Sequence, residues 1–214
     1  MAKKNLTAYE CIYISKYHFS SAEFLLLSSN PFTFFSAGFL YHLSFELLLK
    51  GLITLEGKKY PRIHSLEKLI KNLNGKKQKD VNKIITKETL YGQHFLYTTG
   101  SGLRDKILKL EVVTDKSVSS AVLEHIQLLH NYRYSLGKIG TEDSYFYKAI
   151  YNQMYLYIQE EYKDILMQEK IKQDEITTER INKISAITIT KEEREEAINQ
   201  DIEKWKSVQK LYEK

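Results

Sequence analysis

The chain of 214 residues contains one cysteine, two prolines and nine glycines. The single thiol, Cys11, excludes an internal disulfide framework and a zinc site built from several cysteines, and it indicates a reducing, cytoplasmic compartment. Few glycines and prolines, with little alternation of apolar and polar residues, are atypical of sheet proteins. Because 43% of the residues are hydrophobic, we predict an all-α protein with a buried core.

The chain also lacks the common signatures of metal, cofactor and membrane chemistry. The stretch "TTGSGLRDK" has neither the spacing nor the Gly-Lys-Ser/Thr end of a phosphate-binding P-loop. No His-Glu-x-x-His or Glu-x-x-His pair is present, so we predict no metal and no cofactor. The longest apolar run, 34–53, is interrupted by His42, Ser44, Glu46 and Lys50, which predicts a core helix rather than a membrane span.

Apolar residues recur at helical spacing along most of the chain. Breaks are predicted at Gly57, at Asn74-Gly75, in "YGQHFLYTTGSG" and in "SLGKIGTED". Ser65 is placed to cap the third helix, which ends before Asn74. The other predicted helices span 7–28, 32–56, 76–90, 103–110, 116–134 and 144–168. We predict an antiparallel helical bundle over 1–168.

Residues 169–214 form a predicted charged helical extension. Thr190 and Glu193 fit a capping box, after which apolar residues repeat every three or four positions. This stripe comprises Ile198, Ile202, Trp205, Val208 and Leu211. Residues 190–212 therefore pack on the body or dock on a partner protein. A purely structural helical interaction module is one function consistent with this pattern.

The net charge of +5 is unevenly distributed. Residues 1–140 hold 20 Lys and Arg against 11 Asp and Glu, whereas residues 141–214 hold 12 against 16. Residues 58–87 alone carry ten basic and two acidic side chains. Such a cluster binds nucleic acid or phosphate, or it is a solvated face. Both interpretations stay open, because all but Arg62 are lysines without a planar, bidentate fork.

Four stretches carry a resemblance to a known family: "YHFSSAEFLL", "SAGFLYHLSFELLLKGLI", "GKKYPRIHSLEKLI" and "LLHNYRY". In this order they resemble a HEPN domain, a four- to five-helix domain named for its occurrence in higher eukaryotes and prokaryotes and its association with nucleotide binding. The resemblance covers about residues 8–140. Its most specific part is Glu46-x-x-x-Lys50 followed by His64-Ser65-Leu66, with Arg133 further along.

In HEPN ribonucleases an Arg is followed four to six residues later by a His, and the two usually form a composite site across a homodimer. Here Arg133 is followed by "YSLGKIGTED", and no Arg has a His at that distance. The resemblance therefore implies a non-catalytic protein that binds nucleotide or RNA in a bacterial toxin–antitoxin or phage-defence module. It also implies a homodimer, with a small nucleotidyltransferase or another protein as a further partner.

His42, Glu46 and Lys50 are four residues apart and share one stripe of the second helix. An ionised Glu46 in this apolar helix needs a partner. Lys50 is the local partner, and Arg133 is the candidate long-range one. Two interpretations are open: Glu46 is a structural ion-pair residue, or it orients Arg133 toward a phosphate, with His42 in support.

Three residues are candidates for catalysis: Arg133, His130 and His64. His130 and Arg133 are three apart and share a helix face, as an inverted version of the missing ribonuclease pair. His64 either acts as a general acid or base beside a phosphate or braces the third helix beside Ser65. A ribonuclease with a rearranged Arg/His site is therefore the alternative function.

Lys58, Lys59, Tyr60 and Arg62 form a basic turn with an aromatic ring in the middle. Lysines contact phosphate and an aromatic ring stacks on a base, so this turn is the predicted RNA contact, unless it is a solvated turn. Together with Arg133 and Lys50, these four residues are the predicted ligand-binding set.

A stripe of tyrosines follows in the 144–168 helix and predicts core or subunit interface rather than a stacking platform. Its members are Tyr147, Tyr151, Tyr155 and Tyr162.

Overall fold

The computed structural model describes residues 6–27, 31–95, 102–131 and 141–185, with 195–196 and 199–200. Within these residues all regular structure is helical and no strand is present, which confirms the all-α prediction. The helices are α1 Ala8–Leu26, α2 Pro31–Leu55, α3 Leu66–Lys71, α4 Gly75–Phe95, α5 Gly102–Leu108, α6 Asp115–Asn131, α7 Thr141–Glu161 and α8 Lys163–Ser185.

Helix α2 lies at the centre of the bundle, in contact with α1, α3, α6 and α7. Its residues Phe45, Leu48 and Leu52 have no exposed surface. By length and composition alone Ser36–Leu55 is apolar enough to cross a membrane, but 72% of its most apolar window is buried inside the protein. This burial confirms the prediction of a core helix.

Helices α1 and α2 pack closely because small residues face each other. The buried side of α1 carries Ala8, Cys11, Ser15 and Ala22, and α2 presents Gly51. A Cβ atom on Gly51 would lie 2.7 Å from Ile12 Cγ1 and 3.2 Å from the Ala8 carbonyl oxygen. The close crossing of the two helices therefore requires glycine at this position.

Helix α2 ends where the sequence predicts, at Gly57. This glycine has φ of 75°, a left-handed conformation that other residues rarely adopt. Its N–H donates to the Thr54 carbonyl at 2.9 Å, and the Lys58 N–H donates to the Ile53 carbonyl at 3.3 Å. These two bonds satisfy the last carbonyls of α2 and turn the chain sharply away from it.

The region around α3 and α4 corrects two predicted boundaries. Ser65 caps α3 as predicted, since its Oγ accepts from the Lys68 N–H at 3.4 Å. Asn74 does not simply end α3, because its Oδ1 accepts from the Lys77 N–H at 2.9 Å and so caps the start of α4. Helix α4 continues to Phe95, so the first five residues of the predicted loop are helical.

The predicted 144–168 helix is two helices. Tyr162 separates α7 from α8, although its N–H and its carbonyl still make helical hydrogen bonds to Ile158 and Leu166. No glycine or proline marks this junction, so the sequence pattern passes over it.

The predicted tyrosine stripe is buried in the core where it begins. Tyr147 and Tyr151 are buried, and Tyr151 stacks on Phe19 with ring centroids 4.0 Å apart. The core prediction is confirmed for these two residues. Tyr155 and Tyr162 are half-buried at the edge of the same core.

The chain divides into two compact units, Met1–Glu169 and Lys170–Lys214. The roles predicted for the bundle and for the extension stay predictions. The capping box at 190–193 and the apolar stripe of the extension lie outside the described residues, as do Arg133 and the end of the predicted 116–134 helix.

Candidate functional site

The basic turn, residues 58–64, connects α2 to α3 and is fixed at both ends. At its start, Lys58 Nζ donates to the carbonyl of Asn72, the residue that follows α3. Just beyond its end, the Leu66 N–H donates to Gln127 Oε1 on α6 at 3.0 Å. Both ends of the turn are therefore tied to neighbouring helices, which restricts its backbone.

Beneath the turn, Glu46 contacts a lysine and a histidine through one carboxylate oxygen. Glu46 Oε1 lies 2.8 Å from Lys50 Nζ and 3.0 Å from His64 Nδ1. Glu46 and Lys50 are 4% and 3% exposed, so each charge depends on the other for compensation. Burial of this pair is possible because both groups are hydrogen-bonded.

His64 is held at one nitrogen and open at the other. A carboxylate only accepts hydrogen bonds, so His64 Nδ1 carries the hydrogen that Glu46 accepts. The side chain of His64 is 71% exposed. In the neutral imidazole, Nε2 is then the accepting nitrogen on an exposed ring, a state suited to taking a proton or a hydrogen bond.

Lys50 also supports the middle of the turn. Its Nζ lies 5.1 Å from the centroid of the Tyr60 ring, a cation–π contact. Burial, with the nearby Cys11 and Glu46, raises the pKa of the Tyr60 hydroxyl to about 12, so this hydroxyl stays neutral. Burial likewise raises the pKa of the Cys11 thiol to about 12, which makes Cys11 a poor nucleophile at neutral pH.

The basic turn lines a surface cavity of about 500 Å³, here called the turn cavity. Lys58, Lys59 and Arg62 bring three positive charges to it, and no acidic residue lines it. Lys58 is partly neutralised, since its Nζ lies 3.0 Å from Glu56 Oε2. Three cations around one concave surface favour an anionic ligand.

The structure brings together most of the predicted site. Lys58, Lys59, Tyr60 and Arg62 line the turn cavity. Glu46, Lys50 and His64 form the cluster beneath the basic turn.

All three predicted site residues of α2 are buried, and Lys50 and His42 lie outside the lining of the turn cavity. Lys50 contacts Glu46 and Tyr60, and the lining of the turn cavity does not include it. His42 is 1% exposed and lies one turn before Glu46 in the core. Their position assigns both residues to support rather than to direct contact with a ligand in the turn cavity.

The predicted link between Glu46 and Arg133 stays a prediction, because Arg133 lies outside the described residues. The backbone of His130 belongs to α6, but its side chain is not among those described. Among the described residues no group of three or more His, Cys, Asp and Glu side chains is placed to hold a metal ion.

Sequence reasoning missed the bond between Glu46 and His64. Lys50 was found as a partner because it is one helical turn away from Glu46. His64 is 18 residues away, and only the path of the turn returns it to α2. The interpretation of His64 as a brace for α3 did not include this carboxylate.

The model of the HEPN domain family matches residues 8–135, which is more than half of the chain. The matched segment contains Glu46, Lys50 and the whole basic turn. No curated protein and no solved structure matches the chain. The family match spans the first six helices and agrees with the all-α bundle. The chain therefore belongs to the HEPN domain family.

Proposed function

We propose that this protein binds the phosphates of a nucleotide or an RNA strand in the turn cavity and does not cleave them. The observation that carries the proposal is the charge of that cavity: three cations and no acid, on a turn fixed at both ends. Because the turn is held at both ends, little ordering of its backbone opposes the binding of phosphate. HEPN membership supports a nucleotide or RNA as the source of the phosphate.

The biological setting of the proposal rests on the family resemblance and on patterns in the sequence. In this setting the protein is a cytoplasmic homodimer in a bacterial toxin–antitoxin or phage-defence module. A small nucleotidyltransferase or another protein is the partner of residues 190–212. Co-purification of the full chain with the product of a neighbouring gene tests the partner.

Salt-dependent RNA binding tests the phosphate contacts. The double variant Lys59→Gln/Arg62→Gln removes two exposed charges and spares Lys58, which helps to hold the turn. Removing one phosphate contact reduces the slope of log affinity against log salt by about 0.7 for a single strand. We expect the variant to weaken binding of a fluorescein-labelled RNA hexanucleotide about tenfold or more and to flatten the slope by about 1.4.

The matched control is Lys79→Gln/Lys83→Gln, which removes two exposed charges from α4. It leaves the turn cavity intact and should retain nearly the affinity of the unmodified chain. Equal losses of affinity in the two double variants would show that the whole basic surface, and not the turn, attracts RNA.

One observation favours a second candidate, a ribonuclease with a rearranged site. Glu46 fixes the tautomer and orientation of an exposed imidazole, as a general base requires. Incubation of RNA with the unmodified chain, His64→Ala and Arg133→Ala separates the two functions. Cleavage that disappears in either variant establishes the ribonuclease, and no cleavage by the unmodified chain supports binding alone.

A further inference from the structure

A second cavity, here called the helix cavity, lies between α3, α4 and α6 and has a volume of about 290 Å³. Ligand pockets in proteins run from roughly 300 to 1,000 Å³, so this one suits a small chemical group. No pattern in the sequence pointed to it.

The helix cavity has an apolar floor and a polar rim. The floor is formed by Ile70 and Leu123, which are buried, and the half-buried rim includes Asn82 and Ser120. Ser119 Oγ donates to Asn82 Oδ1 at 2.8 Å, which fixes the Asn82 amide. Its Nδ2 is then the group of Asn82 that can donate to an occupant of the cavity.

The helix cavity has less positive charge than the turn cavity. Lys71 lines it, but its Nζ is paired with Glu67 Oε1 at 2.8 Å, and Glu67 lines it as well. Lys116 is the other cation of the lining. An occupant with an apolar, flat body and hydrogen-bonding edges suits this surface better than a phosphate. A nucleobase has that chemistry, with faces that pack on apolar groups and edges that read amides and hydroxyls.

The linings of the two cavities are adjacent at the end of α3. Lys71 lines the helix cavity, and the next residue, Asn72, lines the turn cavity. Consecutive Cα atoms are about 3.8 Å apart, so residues that line the two cavities lie side by side at this point. We infer that the helix cavity is a base-binding site for the same RNA strand whose phosphates lie in the turn cavity. This inference rests on the proposed function, and it narrows the ligand to a strand of two or more nucleotides.

Filling the helix cavity tests this site without changing any charge. Ser120 is half-buried on α6, and Ser120→Phe places a phenyl ring where the base would lie. Gln153→Phe, at an exposed position of α7, is the matched control. Binding of a fluorescein-labelled adenosine hexanucleotide RNA is followed by fluorescence anisotropy, with adenosine monophosphate as competitor, and thermal unfolding checks that each variant is folded.

We expect the unmodified chain to bind the hexanucleotide at least ten times more tightly than adenosine monophosphate. Ser120→Phe should lower the affinity for the hexanucleotide about tenfold, with no change in the salt slope, and Gln153→Phe should leave the affinity unchanged. Should Ser120→Phe fail to fold, the smaller Ser120→Leu replaces it. That variant fills part of the helix cavity, adds no charge, and should lower the affinity for the hexanucleotide.

The outcomes separate this inference from the proposed function. If Lys59→Gln/Arg62→Gln weakens binding but the folded helix-cavity variant does not, the base site is wrong and the phosphate site stands. If the unmodified chain binds neither the hexanucleotide nor the monophosphate, both are wrong. Equal affinity for the two probes overturns the base site alone.

Discussion

Two buried lysines, Lys50 on α2 and Lys77 on α4, are held by the same chemistry in different parts of the bundle. Each ammonium is paired with a glutamate and lies over a tyrosine ring. Lys50 Nζ is 5.1 Å from the centroid of Tyr60, and Lys77 Nζ is 5.1 and 5.0 Å from those of Tyr157 and Tyr162. The lysines are 3% and 6% exposed.

The two clusters differ in the burial and the contacts of their glutamates. Glu46 is buried and also holds His64 beneath the basic turn, whereas the side chain of Glu161 is 44% exposed and joins α7 to α4. A buried carboxylate cannot exchange its partners for water, so its cluster is rigid and costly to break. An exposed carboxylate can exchange its partner for water, so the ion pair of Glu161 with Lys77 can be lost at little cost in stability. We therefore propose that the Lys50 cluster holds the basic turn in position, whereas the Lys77 cluster only joins α7 to α4.

The largest expected effect is the loss of the buried carboxylate. Glu46→Leu leaves the Lys50 ammonium buried without its partner, and we expect it to lower the free energy of unfolding by about 3–5 kcal/mol. Glu161→Leu removes a partner of Lys77 that water can replace, so its effect on stability should be far smaller. Urea unfolding followed by circular dichroism measures both.

The double variant Glu46→Leu/Lys50→Met is the control for this experiment. It removes both charges, and it should recover most of the stability that Glu46→Leu loses. The proposed difference between the clusters is wrong if Glu161→Leu lowers the free energy of unfolding as much as Glu46→Leu does.

A smaller effect is expected for Lys77, and it depends on pH. Burial alone would lower the pKa of Lys77, but Glu161 and the phenol groups of Tyr157 and Tyr162 outweigh it and raise that pKa above its usual 10.5. Lys77 in turn lowers the pKa of Glu161 below its usual 4.5. We expect Lys77→Met to lower the free energy of unfolding at pH 7 by about 1 kcal/mol.

The sign of the pH dependence follows from these two shifts. A lowered carboxyl pKa stabilises the fold above pH 4.5 and ceases to do so as the pH falls through the folded pKa. A raised lysine pKa stabilises it up to pH 10.5 and loses this effect at higher pH. The stability gap between the unmodified chain and Lys77→Met should therefore be constant from about pH 6 to 9 and shrink below pH 4.5. A gap that grows in acid would contradict the assignment.

Ligand affinity should distinguish the clusters independently of stability. Glu46→Gln keeps the shape of the side chain but weakens its hold on Lys50 and His64, so the turn above loses its fixed arrangement. We expect RNA affinity to fall about threefold, with the salt slope unchanged because Lys59 and Arg62 remain. Glu161→Gln is the matched control and should bind RNA as the unmodified chain does. Equal affinities in the two variants would make the Glu46 cluster purely structural.

Local patterns predicted the parts of this structure that depend on neighbours in sequence. Four predictions depend on interactions within a few residues: the apolar helix α2, the cap at Ser65, the end of α2 at Gly57 and the pair of Glu46 with Lys50. These predictions are confirmed, because helical periodicity and capping chemistry are determined locally.

The parts that were missed depend on the path of the chain. His64 meets Glu46 only because the turn doubles back, and the helix cavity exists only because α3, α4 and α6 converge. The junction at Tyr162 was missed for a local reason. Helical hydrogen bonds continue through it, so the sequence around it has the pattern of a single helix.

The smallest expected effects come from the tyrosine hydroxyls, which separate the clusters once more. Within the described residues the Tyr60 hydroxyl has no hydrogen-bond partner, so Tyr60→Phe should change the free energy of unfolding by less than about 0.5 kcal/mol and leave the ring over Lys50. Tyr157 Oη donates to Asp80 Oδ2 at 2.9 Å, so Tyr157→Phe should cost about 1 kcal/mol. Urea unfolding of the two variants side by side checks this order. If Tyr60→Phe proves the more costly, the Lys50 cluster depends on the phenol rather than on the ring, and the cation–π contact is not what holds the middle of the turn.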